Sequence, residues 1–224
     1  MDRILDDMEL EARLIKLHAL SESQDQTVGA YFQRRGEAGE LSWEGLDAQS
    51  QRFMADKLAA LQPAKAGFCY LTCRALRARK VVEVGTSHGV STMYLAAAVR
   101  DNGGGVVIGT EHEPDKCIAA RANFEAAGLS KFVELREGDL RKTLKTLEGP
   151  IDFVLIDIWV EMARPAIELI APHLRTGAVI CADNTSGASK AYAAYFAFIN
   201  DRANGFRTMT LPFDGGFELT VKVG

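Results

Sequence analysis

From residue 80 onward, short apolar runs alternate with helical stretches, and no other feature constrains the fold as much. The runs are KVVEVG (80–85), GVVIGTE (105–111), KFVELRE (131–137), IDFVLID (151–157), GAVICAD (177–183), FRTMTLP (206–212) and FELTVKV (217–223). Helices fit 89–101, 114–127, 139–148, 161–174 and 187–203. Strand–helix alternation predicts an α/β fold, a mostly parallel sheet covered on both faces. The last two runs break the alternation. FDGG (213–216) between them is hairpin-turn chemistry, so the terminal strand is expected to run antiparallel.

The residues before this region read as helical. Residues 1 to about 35 carry Leu10, Leu14, Leu17 and His18 on one stripe. RRGEAGELSWEG (34–45) is expected to be a loop, LDAQSQRFMADKLAALQ (46–62) a helix, and AKAGFCYLTCRALRAR (64–79) a further helix after Pro63. The expected division is a helical cap or oligomerisation segment over 1–64 and a ligand-binding α/β domain over 65–224.

Bulk properties narrow the class. A chain of 224 residues buries roughly 70–75% of its unfolded surface, enough for a full core. The formal charge of −4 offers no basic footprint for nucleic acid. No apolar stretch reaches the ~18–20 residues of a membrane span. The acidic N-terminus is unlike a signal peptide, so a cytoplasmic protein is expected. Cys69, Cys73, Cys117 and Cys181 lack zinc spacing and are expected to be buried free thiols.

Ligands of open α/β sheets bind beyond the carboxyl ends of the strands. In VVEVGTSHGVST (81–92), Ser87 stands where a dinucleotide fingerprint needs its middle glycine, which argues against NAD or FAD. The next strand ends carry Glu111, then Gly138–Asp139, then Asp157, then Asp183–Asn184. Helix capping accounts for one or two of these acids, Asp139 above all. Glu111 is placed to accept from ribose hydroxyls, with His112 beside it. The helix starting near Gly89 can hold a carboxylate at its N-terminus. Glu83 either bonds the ligand's ammonium or braces the turn, and Thr86, Ser87 and Ser91 supply hydroxyls. A ligand with ribose and carboxylate but no phosphate fits S-adenosylmethionine. Asp157, Asp183 and Asn184, on neighbouring strand ends, offer three hard oxygen donors suited to Mg²⁺ or another divalent cation. Alternatively Asp157 alone orients the substrate and Asp183–Asn184 is turn chemistry.

From about Lys65 onward the chain resembles the divalent-metal-dependent catechol and caffeoyl-CoA type O-methyltransferases. VVEVGTSHGVST, TEHEP, REGD, LIDIWVEM, GAVICADN and PFDGGFELTVK follow that family's motifs in order. The resemblance implies a Rossmann-like, seven-stranded class I methyltransferase, often dimeric, with an N-terminal helical cap. It places Glu83, Gly85, Ser87, Ser91, Glu111 and Asp139 on cofactor positions and Asp157, Asp183 and Asn184 on metal positions. It also implies methyl transfer to a hydroxyl of a small aromatic acceptor, vicinal dihydroxy compounds included. One departure matters. The family's catalytic lysine falls at Val160, which accepts no proton. A phenol of pKa ~10 is about one part in a thousand ionised at neutral pH, so activation must come from elsewhere. A metal alone, Lys190 or His88 are the candidates, with Asp157 as the other catalytic residue. Trp159 and Phe213 are candidate acceptor walls. Metal-independent transfer, or cofactor binding without turnover, are the alternatives.

Overall fold

The computed structural model describes residues 4–41, 45–186 and 190–224. Among these, four helices precede the first strand: α1 (Met8–Glu22), α2 (Asp25–Glu37), α3 (Ala48–Met54) and α4 (Pro63–Ala75). The alternation follows as β1 (Lys80–Val84), α5 (Val90–Asp101), β2 (Val106–Glu111), α6 (Pro114–Ala126), β3 (Val133–Glu137), α7 (Leu140–Thr143), β4 (Ile151–Ile156), α8 (Val160–Ile170), β5 (Leu174–Asp183) and α9 (Ala193–Asn200). The chain closes with β6 (Phe206–Leu211) and β7 (Phe217–Lys222).

The seven strands form one sheet in the order β3-β2-β1-β4-β5-β7-β6. The first five are parallel, and β7 pairs antiparallel with both β5 and β6. The expected mostly parallel sheet with an antiparallel terminal hairpin is borne out. Strand order reverses between β1 and β4, which opens a crevice at their carboxyl ends.

The two-residue period of the strands sorts side chains between two cores. Val81, Phe153, Leu155, Val179 and Cys181 pack on the side of α1, α4 and α5. Val82, Val84, Val154, Ile156, Ile180 and Ala182 pack on the side of α7, α8 and α9. By the same alternation Glu83, Asp157 and Asp183 belong to the α4 side. Leu10 and Leu14 of α1, with Leu58 and Leu61, enter that core directly. All four cysteines are buried and unbridged, as expected.

Several expected elements differ in extent. The helical stretch over 1–35 is two helices, broken between Glu22 and Asp25. The helix expected over 46–62 survives only as α3, capped by Asp47, whose carboxylate accepts from the Gln49 and Ser50 amides. Beyond it the backbone is held by tertiary bonds instead. Ser21 Oγ donates to the Leu58 carbonyl and accepts from the Ala60 amide, which drives Leu58 and Leu61 into the core. The expected helix 139–148 is the single turn α7 followed by a 3₁₀ turn over Leu144–Thr146. The helix expected from 187 starts at Ala193, and residues 187–189 lie outside the described residues, as do 42–44 of the expected loop. No helix among the described residues is long and apolar enough to cross a membrane.

Candidate functional site

The turn after β1 is shaped by close approach. Gly85 has φ 94°, and a Cβ there would collide with the Asp157 carbonyl. Only glycine fits this contact between the ends of β1 and β4. Glu83, two residues earlier, is fully buried and accepts from Thr86 Oγ1 at 3.0 Å and from Thr92 Oγ1. Its other oxygen has no partner. Burial pushes its carboxyl up to about 7, opposed by the hydrogen bonds from Thr92 and Thr86. Thr86 and Thr92 thus brace Glu83 beneath the turn. Gly89 caps α5 in the left-handed region.

Glu111 ends β2 and ties the turn to it. One carboxylate oxygen accepts from the Ser87 amide at 2.8 Å, and the other from the His112 and Glu113 amides at 2.7 and 2.9 Å. Asp139 caps α7 by accepting from the Arg141 amide and pairs with the Arg141 guanidinium at 2.7 Å. That pairing draws its carboxyl down to about 2.

A cleft of about 450 Å³ opens over these strand ends. That volume lies in the range of small-molecule sites. Gly85, Ser87, Glu111, His112, Asp139 and Asp157 line it, and Asn184 closes one end. Of the expected cofactor residues, Glu83, Thr86, Gly89 and Ser91 lie behind the wall rather than on it. Three residues of the far wall, Gln51, Met54 and Ala55, come from α3 and its end. Nothing in their sequence marks them, because a seven-residue helix without a motif carries no ligand signal.

A second, smaller recess of about 230 Å³ lies between α1, α2 and the start of α4. His18, Glu22, Asp25, Gln62, Lys65 and Asp183 give it polar walls, and Asn184 lines it as well. Asn184 is therefore common to cleft and recess.

Asp157 and Asp183 follow Ile156 and Ala182, which are partners across β4 and β5. The two acids are neighbours, as expected. Burial, and then the Asp183 and Glu83 carboxylates, push the Asp157 carboxyl well above its usual range, against the pull of Lys65. The third expected metal ligand, Asn184, adopts φ 56° at the surface, and Gly215 leaves no room for a Cβ beside its Oδ1. Asp183 is already engaged. Its Oδ1 accepts from Lys65 Nζ at 2.5 Å, and its carbonyl accepts from the Tyr192 hydroxyl at 2.9 Å. An ammonium on this oxygen does not fit a divalent cation on the same oxygen. Among the described residues no cluster of three or more His, Cys, Asp or Glu is arranged to hold a metal.

The other expected catalytic groups stand apart. Lys190 is exposed in the turn before α9 and lines neither cavity. His88 is half-buried toward α6, its carbonyl accepting from Asn123 Nδ2 at 2.9 Å. Phe213 packs edge-on to Phe68 and Phe217 at 5.8 and 5.7 Å and is part of the core, not an acceptor wall. Trp159 lines the cleft together with Glu111 and Asp139, away from the recess.

Comparison with known proteins decides the class of the central segment. Residues 82–185 match the family model described as a methyltransferase domain. This segment is similar to methyltransferase domains. A catechol O-methyltransferase from Mycobacterium tuberculosis (strain ATCC 25618 / H37Rv) is 38% identical over 118 residues, 52% of this chain and 53% of that protein. Another, from Niastella koreensis, is 31% identical over 133 residues, covering 56% of this chain and 58% of that protein. The chain thus spans only a little over half the length of these curated relatives. Among solved structures, the cofactor-bound Rv0187 from MTB superposes with TM-score 0.68 at 29% identity, covering 78% of this chain and 87% of that one. An O-methyltransferase from Bacillus cereus in complex with SAH gives TM-score 0.65 at 23% identity, covering 91% and 97%. The latter likeness speaks for the fold alone. The resemblance to class I O-methyltransferases drawn from the motifs is borne out in fold and domain.

Proposed function

We propose that the chain transfers a methyl group from S-adenosylmethionine to a hydroxyl of a small acceptor. The observation that carries this reading is the cleft at the β1/β4 switch point. It combines a glycine-bounded turn, an acid at the end of β2 and a second cavity meeting it at Asn184. Relatives described as catechol O-methyltransferases support the reaction type.

The cleft suits the cofactor. Glu111 keeps lone pairs open beside the amides it already holds and is placed for ribose hydroxyls. Glu83, buried with one oxygen unpartnered, gains a counter-charge when an ammonium arrives near the turn. Trp159 offers an apolar face to an adenine in the same cleft. Bound there, S-adenosylmethionine supplies a sulfonium methyl: the C–S bond breaks as the O–C bond forms, the electron pair stays on sulfur, and the hydroxyl proton passes to water.

The chain's own contribution is alignment. An in-line transfer needs acceptor oxygen and methyl held together in one geometry. Asp157 on the cleft wall and Asn184 at the junction stand where the two ligands would meet. The polar recess is the acceptor's place, and its walls favour a compound with more than one hydroxyl. Vicinal dihydroxy aromatics are therefore the first compounds to screen.

Titration calorimetry with S-adenosylmethionine tests the cofactor assignment. Wild type is expected to give a saturable heat that Glu111→Ala weakens at least about tenfold, the loss of one charged acceptor. Unchanged affinity in Glu111→Ala would remove the ribose role. Transfer of label from methyl-labelled cofactor to a dihydroxy aromatic would then establish the reaction.

A further inference from the structure

A lysine buried to 1% exposure against the Asp183 carboxylate requires an explanation. Lys65 lies in the first turn of α4, whose inward stripe continues through Cys69 and Cys73. Its Nζ bonds Asp183 Oδ1 at 2.5 Å and stands 5.8 Å from the centre of the Phe217 ring. It acts electrostatically on Asp157 as well. It also lines the recess assigned above to the acceptor. An isolated ammonium is not tolerated in such a place, so the acids and the lysine stabilise one another.

Resting on the methyltransferase reading above, we propose that Lys65 is the site's resident cation, standing in for the divalent ion that the metal-type residues suggest. The ammonium uses the Asp183 oxygen that a metal would need, and it repels a dication from Asp157. One of its three N–H groups is spent on Asp183 Oδ1. The others are available to the recess, where they would receive an acceptor hydroxyl oxygen and stabilise the oxyanion formed as its proton leaves to water, before that oxygen attacks the methyl. The arrangement supplies a lysine from α4, on the recess side of Asn184, rather than from position 160. Transfer then proceeds without metal.

The test is Mn²⁺ binding, followed by electron paramagnetic resonance, run beside calorimetry with S-adenosylmethionine on the same samples. Wild type is expected to bind S-adenosylmethionine equally well with and without EDTA and to leave the free Mn²⁺ signal unchanged up to millimolar protein. Lys65→Ala, which frees Asp183, is expected to gain Mn²⁺ affinity by roughly tenfold or more. Lys65→Gln, which keeps most of the buried volume, serves if the alanine variant does not fold. Lys65→Arg, retaining the charge, is expected to remain blind to Mn²⁺. Stoichiometric Mn²⁺ binding by wild type that Asp157→Asn abolishes would overturn the proposal and leave the proposed function standing. Failure of folded Lys65→Ala or Lys65→Gln to gain Mn²⁺ would also overturn it. Loss of cofactor binding in wild type would instead strike the functional reading itself.

Discussion

Glu83 shows how a single buried acid couples the site to pH. Burial lifts its carboxyl from an ordinary 4.5 to about 7. The folded protein therefore keeps a proton that the unfolded chain has already released between those values. The stabilisation from this group is complete below about 4.5 and is lost as pH rises toward and through 7. Melting temperatures of the ligand-free protein between pH 5 and 8 should fall with pH in wild type more steeply than in Glu83→Gln. Parallel profiles would mean that Glu83 is ionised throughout. Gly85 is a second residue whose role is set by sterics. Gly85→Ala places a methyl on the Asp157 carbonyl and forces an alanine to φ 94°. A loss of about 2–4 kcal/mol in chemical denaturation is expected, with cofactor binding abolished. Both residues were legible in sequence as functional, because each sits in VVEVGTSHGVST. The brace around Glu83 was not. That Thr86 and Thr92 serve the acid from behind, and do not face the ligand, depends on which way the turn folds over the sheet.

At the level of elements, the strands were far easier to read than the helices before them. β1, β2, β4 and β5 are largely apolar runs with an acid at or next to their carboxyl ends, so their order of appearance and their ligand ends were both visible. Lys65 was hidden for a different reason. Cys69 and Cys73 suggested a buried stripe, and stepping back one helical turn along it reaches position 65, but a lysine reads as an exposed residue unless its partner is known. That partner, Asp183, lies 118 positions further along the chain. Lys190, by contrast, is near Asn184 in sequence yet lines neither cavity. α7 gives the sharpest test at this scale. A four-residue helix has little to hold it besides its cap, and Asp139 supplies that cap. Asp139→Ala should cost about 1 kcal/mol in urea unfolding, whereas Asp139→Asn, which still accepts from the Arg141 amide, should stay within a few tenths. If the two variants lose stability equally, the ion pair with Arg141 and not the cap is what holds the turn.

Across the whole molecule, the helices before residue 64 and the sheet are bound into one core. Leu10 and Leu14 pack in the cluster that contains Val81, Leu155 and Cys181. His18 Nε2 meets the Tyr94 hydroxyl at 3.2 Å, and Asp7 pairs with Arg100 at 2.7 Å, so α1 is fastened to α5 at both ends. The recess depends on the same contacts, because His18 and Glu22 of α1 form its walls opposite Asp183. A segment that completes the site in this way should not unfold by itself. Leu14→Ala removes a fully buried side chain at the α1–sheet junction and should cost about 2–5 kcal/mol. In a chain of this length that corresponds to a fall in melting temperature of roughly 4–20 °C. Calorimetry should show the single transition of wild type moving down as a unit, with the near-ultraviolet and far-ultraviolet signals still coincident. An early, separate transition in the variant would show instead that α1 folds as an independent cap, and the acceptor recess would then be a feature that forms only when that cap is docked.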